Sequence, residues 1–456
     1  MTDHPLVGRT VVIGRNRQAL TLQTRVHEYP GKRVIFRGQL DDGTCVAAKF
    51  YFGFPRQAWE WLRGLRGARL LQASALPAPR LLYAGYCRDV SAWLTVLEWI
   101  DADETWPPST ELLERTDHRR LIGAIAEHHA AGIVQNDMNL QNFVPQSGRL
   151  HTVDTDRLRR YSAPLGRRPT LAHLVRIYAS KSRIPEDELR WAYQRYCADR
   201  GWPHDGAEEN ALLARIRHAR MAQAWKVARR AAHGWKHYGR APADEYQLFF
   251  DRRRVSRDAL VRLANALRES GNVETVPLAE ILPGYALRRV IKPGASSQDP
   301  TRPLDQSSRG ATRTWIKILA LQRLGFPVPR TAGLIHDRKK RLAWLISEPS
   351  DTALPLDTLR NTQTDDRDRA IAALGKFLEH MHDYRIGNRD ASPGTLVWDG
   401  ERIWLLDVGN IRFDPWYLPG FERRWRRETD QLLNRLAVSL QTSAETLRLR
   451  LNPRAP

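Results

Sequence analysis

The feature that most constrains the fold is an internal repeat. Two pairs of aspartates are each separated by 17 residues, and the second pair follows the first at an offset of 253: Asp137 with Asp154, and Asp390 with Asp407. The segment Leu-Pro-Ala-Pro-Arg at 76–80 also recurs, as Phe-Pro-Val-Pro-Arg at 326–330. Shared order and spacing favour duplication over coincidence. Because 456 residues exceed the length of an ordinary domain, we predict two tandem domains, 1–240 and 241–456.

The first copy contains residues suited to phosphoryl transfer. Asp137, Asn142 and Asp154 have the order and spacing of a catalytic loop followed by a metal-binding aspartate. Asp137 would accept the proton of an attacking hydroxyl, and the oxygens of Asn142 and Asp154 would hold Mg²⁺ beside the phosphates of ATP. Each residue alone could equally form a polar turn. The three in register favour the catalytic interpretation.

Residues upstream of this loop indicate a nucleotide site. The stretch 33–51 predicts a β-hairpin that turns at Asp42-Gly43 and carries Lys49, which would contact the α- and β-phosphates. A helix from Pro55 would present Glu60 as the ion-pair partner of Lys49. A glycine-rich phosphate loop should precede the lysine, but only Gly31 and Gly38 are available beside Lys32 and Arg33. Phosphate contact should therefore depend more on side chains.

A strand over 93–100 is expected to end at the adenine-binding segment, with Glu98 and Ile100 as the candidate nucleotide contacts. The alternative is an ordinary buried strand. Only the position of this strand within the expected order of elements favours nucleotide binding.

The second copy is degenerate. Thr395 occupies the position of Asn142, and Thr314, which precedes a tryptophan, replaces Glu60. Lys292 is the candidate for the strand lysine of this copy. Without the amide and the helix glutamate, we expect a regulatory or structural role rather than efficient catalysis.

Composition limits the class of protein and its partners. The chain is 42% hydrophobic, which argues for globular units, and its net charge of +21 suits an acidic partner such as a phosphorylated glycolipid, an anionic membrane face or nucleic acid. Three widely separated cysteines indicate a reducing cytoplasm. We expect no secretory signal and no spanning segment. Any membrane contact should therefore be peripheral.

Much of the positive charge lies between the copies. Residues 210–240 contain eight Lys or Arg and no Asp or Glu. A helix with a solvated basic face is the favoured interpretation, and contact with the anionic inner-membrane surface is the alternative. Residues 297–310 are predicted to form a polar loop in the second copy. No recognised nucleic-acid-binding motif accompanies the charge.

The motifs together resemble the bacterial lipopolysaccharide core kinases, which phosphorylate heptose or Kdo sugars. Residues 133–142 are similar to the catalytic loop of that family, with Gln135 in place of its customary histidine, and 153–157 is similar to its Asp-x-Asp-Arg metal segment. The resemblance covers roughly residues 30–235 and, more weakly, 280–440. It implies an α+β fold with two tandem protein-kinase-like bilobal domains, each with a small β-rich lobe and a larger helical lobe.

The same resemblance gives five residues the roles of the family's catalytic set: Lys49, Glu60, Asp137, Asn142 and Asp154. It also implies that Asp156 is an additional metal neighbour. Because helix-like sequence begins soon after Asp154, little room remains for a peptide-binding segment. We therefore expect an ATP-dependent kinase, with Mg²⁺, that acts on a sugar hydroxyl of the lipopolysaccharide core. The alternative is a non-catalytic tandem pseudokinase with a binding or regulatory role in envelope biogenesis.

Overall fold

Helices and antiparallel sheets alternate along the whole chain, which confirms the expected α+β class. The structure is a computed structural model that describes residues 4–53, 55–103, 114–136, 140–180, 184–270, 275–289, 308–340, 342–349, 353–389, 392–414 and 419–451. It divides into two compact units, unit 1 (1–213) and unit 2 (214–456). Within the described ranges, no helix combines the length and the apolar character needed to cross a bilayer.

Unit 1 begins with a six-stranded antiparallel sheet in the order β1-β2-β3-β4-β6-β5. The expected hairpin is present, and it turns at Asp42-Gly43 because Gly43 adopts a positive φ of 86°. The sheet curls, since the amide of Val12 in the first strand donates a 2.8 Å hydrogen bond to Asp89 after the fifth. The strands are β1 (Thr10–Ile13), β2 (Gln18–Tyr29), β3 (Arg33–Leu40), β4 (Cys45–Tyr51), β5 (Leu81–Cys87) and β6 (Ala92–Glu98).

The rest of unit 1 is mainly helical. Helix α1 begins after Pro55, as predicted, and buries Leu65, Ala68 and Leu71. A 3₁₀ turn, Leu140–Asn142, follows β7. The elements are α1 (Arg56–Ala73), α2 (Arg115–Ala130), β7 (Ile133–Gln135), β8 (Phe143–Gln146), β9 (Arg149–Thr152), β10 (Leu158–Arg160), α3 (Arg167–Ala179), α4 (Glu186–Asp199) and α5 (Gly206–Ala232).

The division between the units falls within α5, after Leu213. Apolar residues later in this helix, such as Met221 and Ala228, belong to the core that surrounds Trp315 in unit 2. Much of the predicted basic stretch 210–240 is therefore helical, and its apolar face is buried.

Unit 2 contains a five-stranded antiparallel sheet in the order β11-β12-β14-β15-β13, followed by helices and short strand pairs. Of the predicted polar loop at 297–310, residues up to 307 lie outside the described ranges, and the last three begin a helix. The elements are β11 (Tyr238–Ala243), β12 (Tyr246–Asp251), α6 (Arg257–Ser270), α7 (Leu278–Ile281), β13 (Ala286–Arg289), α8 (Ser308–Arg323), β14 (Thr331–Asp337), β15 (Leu342–Ser347), β16 (Leu354–Pro355), α9 (Thr364–Asp383), β17 (Ile386–Asn388), β18 (Leu396–Trp398), β19 (Ile403–Leu405), β20 (Ile411–Phe413), α10 (Phe421–Leu440) and α11 (Ala444–Leu451).

Matching backbone hydrogen bonds show that the two units share a repeated core. The Val153 amide donates to the Asn142 carbonyl and the Leu406 amide to the Thr395 carbonyl, both at 2.9 Å and both shifted by 253 residues. At an offset of 250, the bond from the Glu98 amide to the Arg80 carbonyl recurs between residues 348 and 330. The repeat predicted from spacing is therefore a repeat of backbone geometry.

The units differ in the strands that precede this core. In unit 1, β4 pairs with β6 on one side and β3 on the other. In unit 2, β13 pairs with β15 as β4 pairs with β6, but the hairpin of β11 and β12 pairs with β14. Among the described residues, no strand pairs with the other edge of β13. The repeated order therefore holds only from β13 onward.

Candidate functional site

The predicted base, Asp137, lies outside the described residues, as do Asp390 and Lys292. Its flanking segments are described. Strand β7 pairs with β10 through Gln135 and Leu158, and the Asn136 amide donates a 3.1 Å hydrogen bond to the Arg157 carbonyl. The described residues that flank Asp137 are therefore a strand pair before it and a 3₁₀ turn after it.

Two predicted metal ligands lie close together in unit 1. Asn142 ends the 3₁₀ turn, and its carbonyl accepts the hydrogen bond from Val153, the residue before Asp154. The Oδ1 atom of Asp154 accepts a 3.3 Å hydrogen bond from the Asp156 amide. Its Oδ2 atom accepts none from the described part of the chain. These residues offer hard oxygen donors of the type that Mg²⁺ prefers.

Lys49 joins this pair from the sheet. Val46, Ala48 and Phe50 face the sheet core, so the alternation of the strand directs Lys49 to the opposite face. Its Nζ atom donates to the Val153 carbonyl at 3.2 Å and lies 4.0 Å from Asp154 Oδ1. The side chain is buried, and these oxygens partly compensate the desolvation of its charge.

The structure does not bring Glu60 to Lys49. The Glu60 carboxylate instead lies 3.9 Å from Arg56, one turn earlier on α1. Asp154 instead supplies the carboxylate beside the lysine, 4.0 Å from its Nζ atom. The predicted Lys49–Glu60 ion pair is therefore absent here.

Asp156, expected as an additional metal neighbour, has other partners. It forms an ion pair with Arg33 of β3 and accepts a 3.4 Å hydrogen bond from the Tyr51 hydroxyl. Burial, reinforced by the Asp156 charge, raises the pKa of Tyr51 well above its ordinary value, so the hydroxyl remains a donor. Asp156 therefore ties the candidate metal segment to the sheet.

Two glycines on α1 allow the helix to approach this segment. A Cβ atom at Gly67 would lie 2.0 Å from the Thr155 carbonyl oxygen, and one at Gly64 would lie 2.7 Å from Asp156 Oδ1. The Thr155 hydroxyl donates a 2.9 Å hydrogen bond to the Gly64 carbonyl. Two glycines three residues apart inside a helix are the sequence signal that could have identified this contact.

The two candidate phosphate-loop glycines have different roles. Gly31 has a positive φ of 67° in the turn between β2 and β3, with open space where a Cβ would lie. Gly38 lies within β3, where a Cβ would approach the Thr21 carbonyl oxygen to 2.6 Å. Only Gly31 is therefore in a turn, and Gly38 is required for strand packing.

The predicted adenine-binding segment follows β6. The Glu98 carboxylate lies at the surface, 3.8 Å from Arg80, and its amide donates to the Arg80 carbonyl. The Trp99 amide bonds to the Cys45 carbonyl at 3.0 Å. The next residue, Ile100, is half-buried, and its amide has no partner among the described residues. A nucleotide base could therefore use the main chain here.

Gln135 connects the loop of Asp137 to the segment of Asp154. Its Nε2 atom donates a 2.8 Å hydrogen bond to the Asp154 carbonyl. The main-chain carbonyl of Gln135 accepts a 2.7 Å hydrogen bond from Nε2 of His173 on α3. The amide side chain thus bridges the two segments although it replaces the expected histidine.

A buried chain of hydrogen bonds leads to the main-chain carbonyl of Gln135. Because that carbonyl only accepts, it fixes which atom of each residue in the chain carries the donated proton. His173 therefore carries its proton on Nε2, and its Nδ1 accepts from His129 Nε2 at 2.7 Å. His129 Nδ1 then accepts from the Tyr196 hydroxyl at 2.8 Å, which accepts from Arg200 at 2.8 Å.

Both imidazoles in this chain are neutral. Burial lowers the pKa of His173 to about 4 and that of His129, which also lies beside His173, to about 2. Local sequence patterns do not identify the roles of His129 and His173, because the contacts of α2 with α3 and α4 are non-local. The pair acts here as a neutral support for the candidate loop.

Unit 2 retains part of this geometry. The Gly409 amide donates a 2.7 Å hydrogen bond to Asp407 Oδ1, as the Asp156 amide does to Asp154. Thr395, in the place of Asn142, donates its hydroxyl proton to the Ser392 carbonyl at 2.8 Å. Its side chain is therefore committed to its own turn.

A cluster of three or more His, Cys, Asp or Glu side chains that could bind a metal does not occur among the described residues of either unit. In a comparison with known proteins, no family model matches the chain, and no curated protein matches its sequence.

Proposed function

We propose that unit 1 is an ATP-dependent phosphotransferase that acts on a sugar hydroxyl of the lipopolysaccharide core, a heptose or Kdo. The observation that carries the proposal is the convergence of the Lys49 ammonium and the Asn142 main chain on the segment of Val153 and Asp154. These groups come from a strand, a turn and a loop that are distant in sequence. A lysine, an amide and a carboxylate together suit a triphosphate and its cation.

Each residue has a distinct role in this mechanism. Lys49 binds the phosphates, and the proximity of Asp154 keeps its ammonium oriented. Asp154 and Asn142 would hold Mg²⁺, which neutralises phosphate charge when bound. Asp137 accepts the proton of the acceptor hydroxyl as its oxygen bonds to the γ-phosphorus and the bond to ADP breaks.

The base of ATP would lie against the segment after β6. The amide of Ile100 would donate to the base, and Glu98 would contribute through its main chain because its carboxylate pairs with Arg80. Glu60 has no assigned contact with ATP in this arrangement, because its carboxylate is directed to Arg56.

The proposed acceptor is a sugar rather than a protein side chain. Six residues separate the end of β10 at Arg160 from the start of α3 at Arg167. This connection is short for a segment that must bind an extended peptide. The net charge of +21 would also concentrate a core sugar that already carries phosphate or carboxylate groups.

Transfer of labelled phosphate from ATP to dephosphorylated core oligosaccharide tests the proposal. We expect transfer by the wild-type chain, nearly complete loss in Asp137→Asn, and retention in Asp407→Asn as the matched change in unit 2. Labelling of generic proteins with none of the oligosaccharide would contradict the sugar assignment.

The second candidate is a non-catalytic binding protein. The separation of Glu60 from Lys49 favours it, and so does the poor glycine loop. Thermal melting with ATP, in the presence and absence of Mg²⁺, separates the candidates. A Mg²⁺-dependent rise that Asp154→Ala removes, together with turnover, supports the enzyme, whereas nucleotide binding without turnover supports the binding protein.

Peripheral contact with the anionic inner membrane is proposed for a basic-aromatic patch of unit 2: Trp225, Lys226, Arg229, Arg230 and Phe413. Arg229 lies over the Trp225 ring at 5.7 Å, and Trp225 packs edge-on against Phe413 at 4.9 Å. Each Lys or Arg near such a surface adds about 1 kcal/mol to the free energy of membrane binding.

Sedimentation with anionic liposomes at low salt tests this patch. The double change Lys226→Ala with Arg229→Ala should weaken sedimentation, while Arg448→Ala with Arg450→Ala should not.

Equal sedimentation of the wild-type chain with neutral and anionic liposomes would remove this membrane contact without affecting the proposed kinase activity.

A further inference from the structure

Helix α8 of unit 2 places a lysine against the segment of Asp407. The Nζ atom of Lys317 donates a 2.8 Å hydrogen bond to the Gly409 carbonyl. Helices α1 and α8 each end shortly before a residue with positive φ, which is Ala75 (53°) after α1 and Gly325 (82°) after α8. Superimposing these two residues aligns the helices at an offset of 250. Lys317 therefore occupies the position of Gly67, the residue that contacts the corresponding segment in unit 1.

The same alignment changes one correspondence expected from sequence. Thr314 aligns with Gly64, the other close-contact glycine of α1, and not with Glu60. Thr314 is buried. Unit 2 has therefore replaced both small residues at this helix contact by larger ones, and one of them is a cation.

Strand register identifies a second cation in unit 2. In unit 1, Lys49 of β4 pairs with Thr95 of β6. At the offset of 250, Thr95 corresponds to Leu345, and Leu345 pairs with Arg288 of β13. Arg288 is therefore the counterpart of Lys49. Leu345 belongs to the core on the α8 side of the sheet, whereas Leu287 packs with the core on the α6 side. Alternation along β13 therefore directs Arg288 to the face that Lys49 occupies in unit 1.

Further positive charge surrounds Lys317. Arg313 lies one turn earlier on the same face of α8, and like charges four residues apart repel. Burial, followed by the Arg389 charge, lowers the Lys317 pKa to about 8. Within the part of the chain that the structure describes, the charges of Arg389 and Arg313 lower the Lys317 pKa and that of Asp407 raises it. Among the described residues, two arginines and one acid thus act on this half-buried ammonium.

The Asp407 carboxylate is already engaged by neutral donors. Its Oδ1 atom accepts from the Gly409 amide at 2.7 Å, and its Oδ2 atom accepts from Asn410 Nδ2 at 3.3 Å. These bonds hold the acid in the turn that presents the Gly409 carbonyl to Lys317. The excess positive charge nearby is complementary to a ligand with several negative charges.

We propose that unit 2 contains a binding site for a phosphate chain, formed by Arg288, Lys317 and Arg389 beside the 407–409 turn. Arginine recognises phosphate through paired N–H donors, and lysine binds it as a compact charge, so this set suits a di- or triphosphate. The lysine comes from the helix, whereas in unit 1 it comes from the strand. With Thr395 committed to its turn, the site binds without transferring phosphate. This inference does not depend on catalysis by unit 1.

Calorimetric titration of the full chain with inorganic tripolyphosphate tests the site, with Lys49→Met as the background to remove the lysine of unit 1. We expect Lys317→Met to weaken binding at least tenfold. Arg323→Met removes an equal charge from the exposed end of the same helix and should change affinity less than twofold. Thermal melting of each variant checks that the chain is folded.

Unchanged binding in Lys317→Met, or equal weakening by Arg323→Met, would overturn the proposal, because binding would then reflect the general positive field. If Lys317→Met does not fold, Arg389→Gln on the exposed side of the site replaces it, with the same tenfold criterion. Titration with ATP then separates the sources: tighter binding than tripolyphosphate indicates a nucleotide, and equal binding indicates a phosphate chain alone. Phosphotransfer by unit 1, measured separately, should survive Lys317→Met.

Discussion

The two units hold the same acidic turn by different side chains. In unit 1, Lys49 from a strand contacts the turn, and Gly67 lets the helix backbone approach it. In unit 2, Lys317 from the helix makes the contact, and the helix contact positions carry larger residues. The hydrogen bond from a backbone amide of the turn to the aspartate carboxylate is retained in both. A duplicated fold can thus exchange the source of its cation while the backbone frame persists.

The supports behind the candidate loops differ in charge. In unit 1, neutral His129 and His173 lead to the Gln135 carbonyl. In unit 2, Arg412 of β20 pairs with Asp414 at 2.8 Å and with Glu428 of α10 at 2.6 Å, and all three side chains are largely buried. One strand pair is therefore supported by two neutral imidazoles, and the other by a cluster of ions. The two supports should respond differently to substitution and to pH.

The largest expected difference between the units is catalytic. Asp154→Ala removes the charged metal ligand of unit 1, and we expect turnover to fall by about 10²–10³-fold or more. Asp407→Ala removes the corresponding acid of unit 2 and should reduce turnover less than threefold. Steady-state phosphotransfer measures both. Loss of turnover in Asp407→Ala alone would reverse the assignment of the active unit.

Breaking the ionic support should have the next largest effect. Arg412→Leu leaves the buried Glu428 carboxylate without its partner and Asp414 with Arg424 alone, and it should destabilise unit 2 by about 3–5 kcal/mol. Arg448→Leu breaks an exposed ion pair with Asp430 in the same unit and should cost at most about 1 kcal/mol. Hydrogen exchange resolved by peptide measures both. Similar costs for the two changes would show that the buried pair has no special contribution.

The helix contact of unit 1 can be tested with a pair of glycines. Gly67→Ala forces the helix away from the Thr155 carbonyl, and we expect a loss of about 2–3 kcal/mol together with reduced turnover. Gly123→Ala, inside α2 with open space at its Cβ, should stabilise by up to about 1 kcal/mol. Chemical denaturation read on unit 1 peptides distinguishes them. A neutral Gly67→Ala would show that the helix does not depend on this close approach.

Local patterns predicted the elements around the site but not the side-chain partners. The hairpin at Asp42-Gly43 and the helix after Pro55 follow from turn and capping chemistry, and both are present. The convergence of Lys49 with Asp154 was expected from motif order. The partners of Asp156 were not, because they depend on how this segment packs against β3 and β4, which are distant in sequence.

The same limit applies to the second unit. The offset of 253 correctly located its acidic turn. Along the first helix of each repeat, α1 and α8, the offset is 250 rather than 253. Matching Glu60 with Thr314 through their neighbouring tryptophans was therefore wrong, because Thr314 corresponds to Gly64. The hairpin of β11 and β12 pairs with β14, whereas in unit 1 the hairpin strand β3 pairs with β4. Strand pairing is non-local, and a short apolar segment does not specify its neighbour.

The smallest expected effect concerns pH and the neutral support of unit 1. The folded-state pKa of His173, about 4, lies below its ordinary value of 6.5, so the unfolded chain binds the proton first as pH falls. Its contribution to stability is complete above pH 6.5 and is lost progressively down to pH 4, by about 1 kcal/mol per pH unit. His173→Gln keeps a donor for the Gln135 carbonyl and an acceptor for His129 but cannot titrate. Urea unfolding read on unit 1 peptides should therefore show a shallower loss between pH 6.5 and 5.5 in this variant, with the slope from His128 and His129 remaining. An identical slope in the variant and the wild-type chain would exclude His173 as a source of the pH dependence.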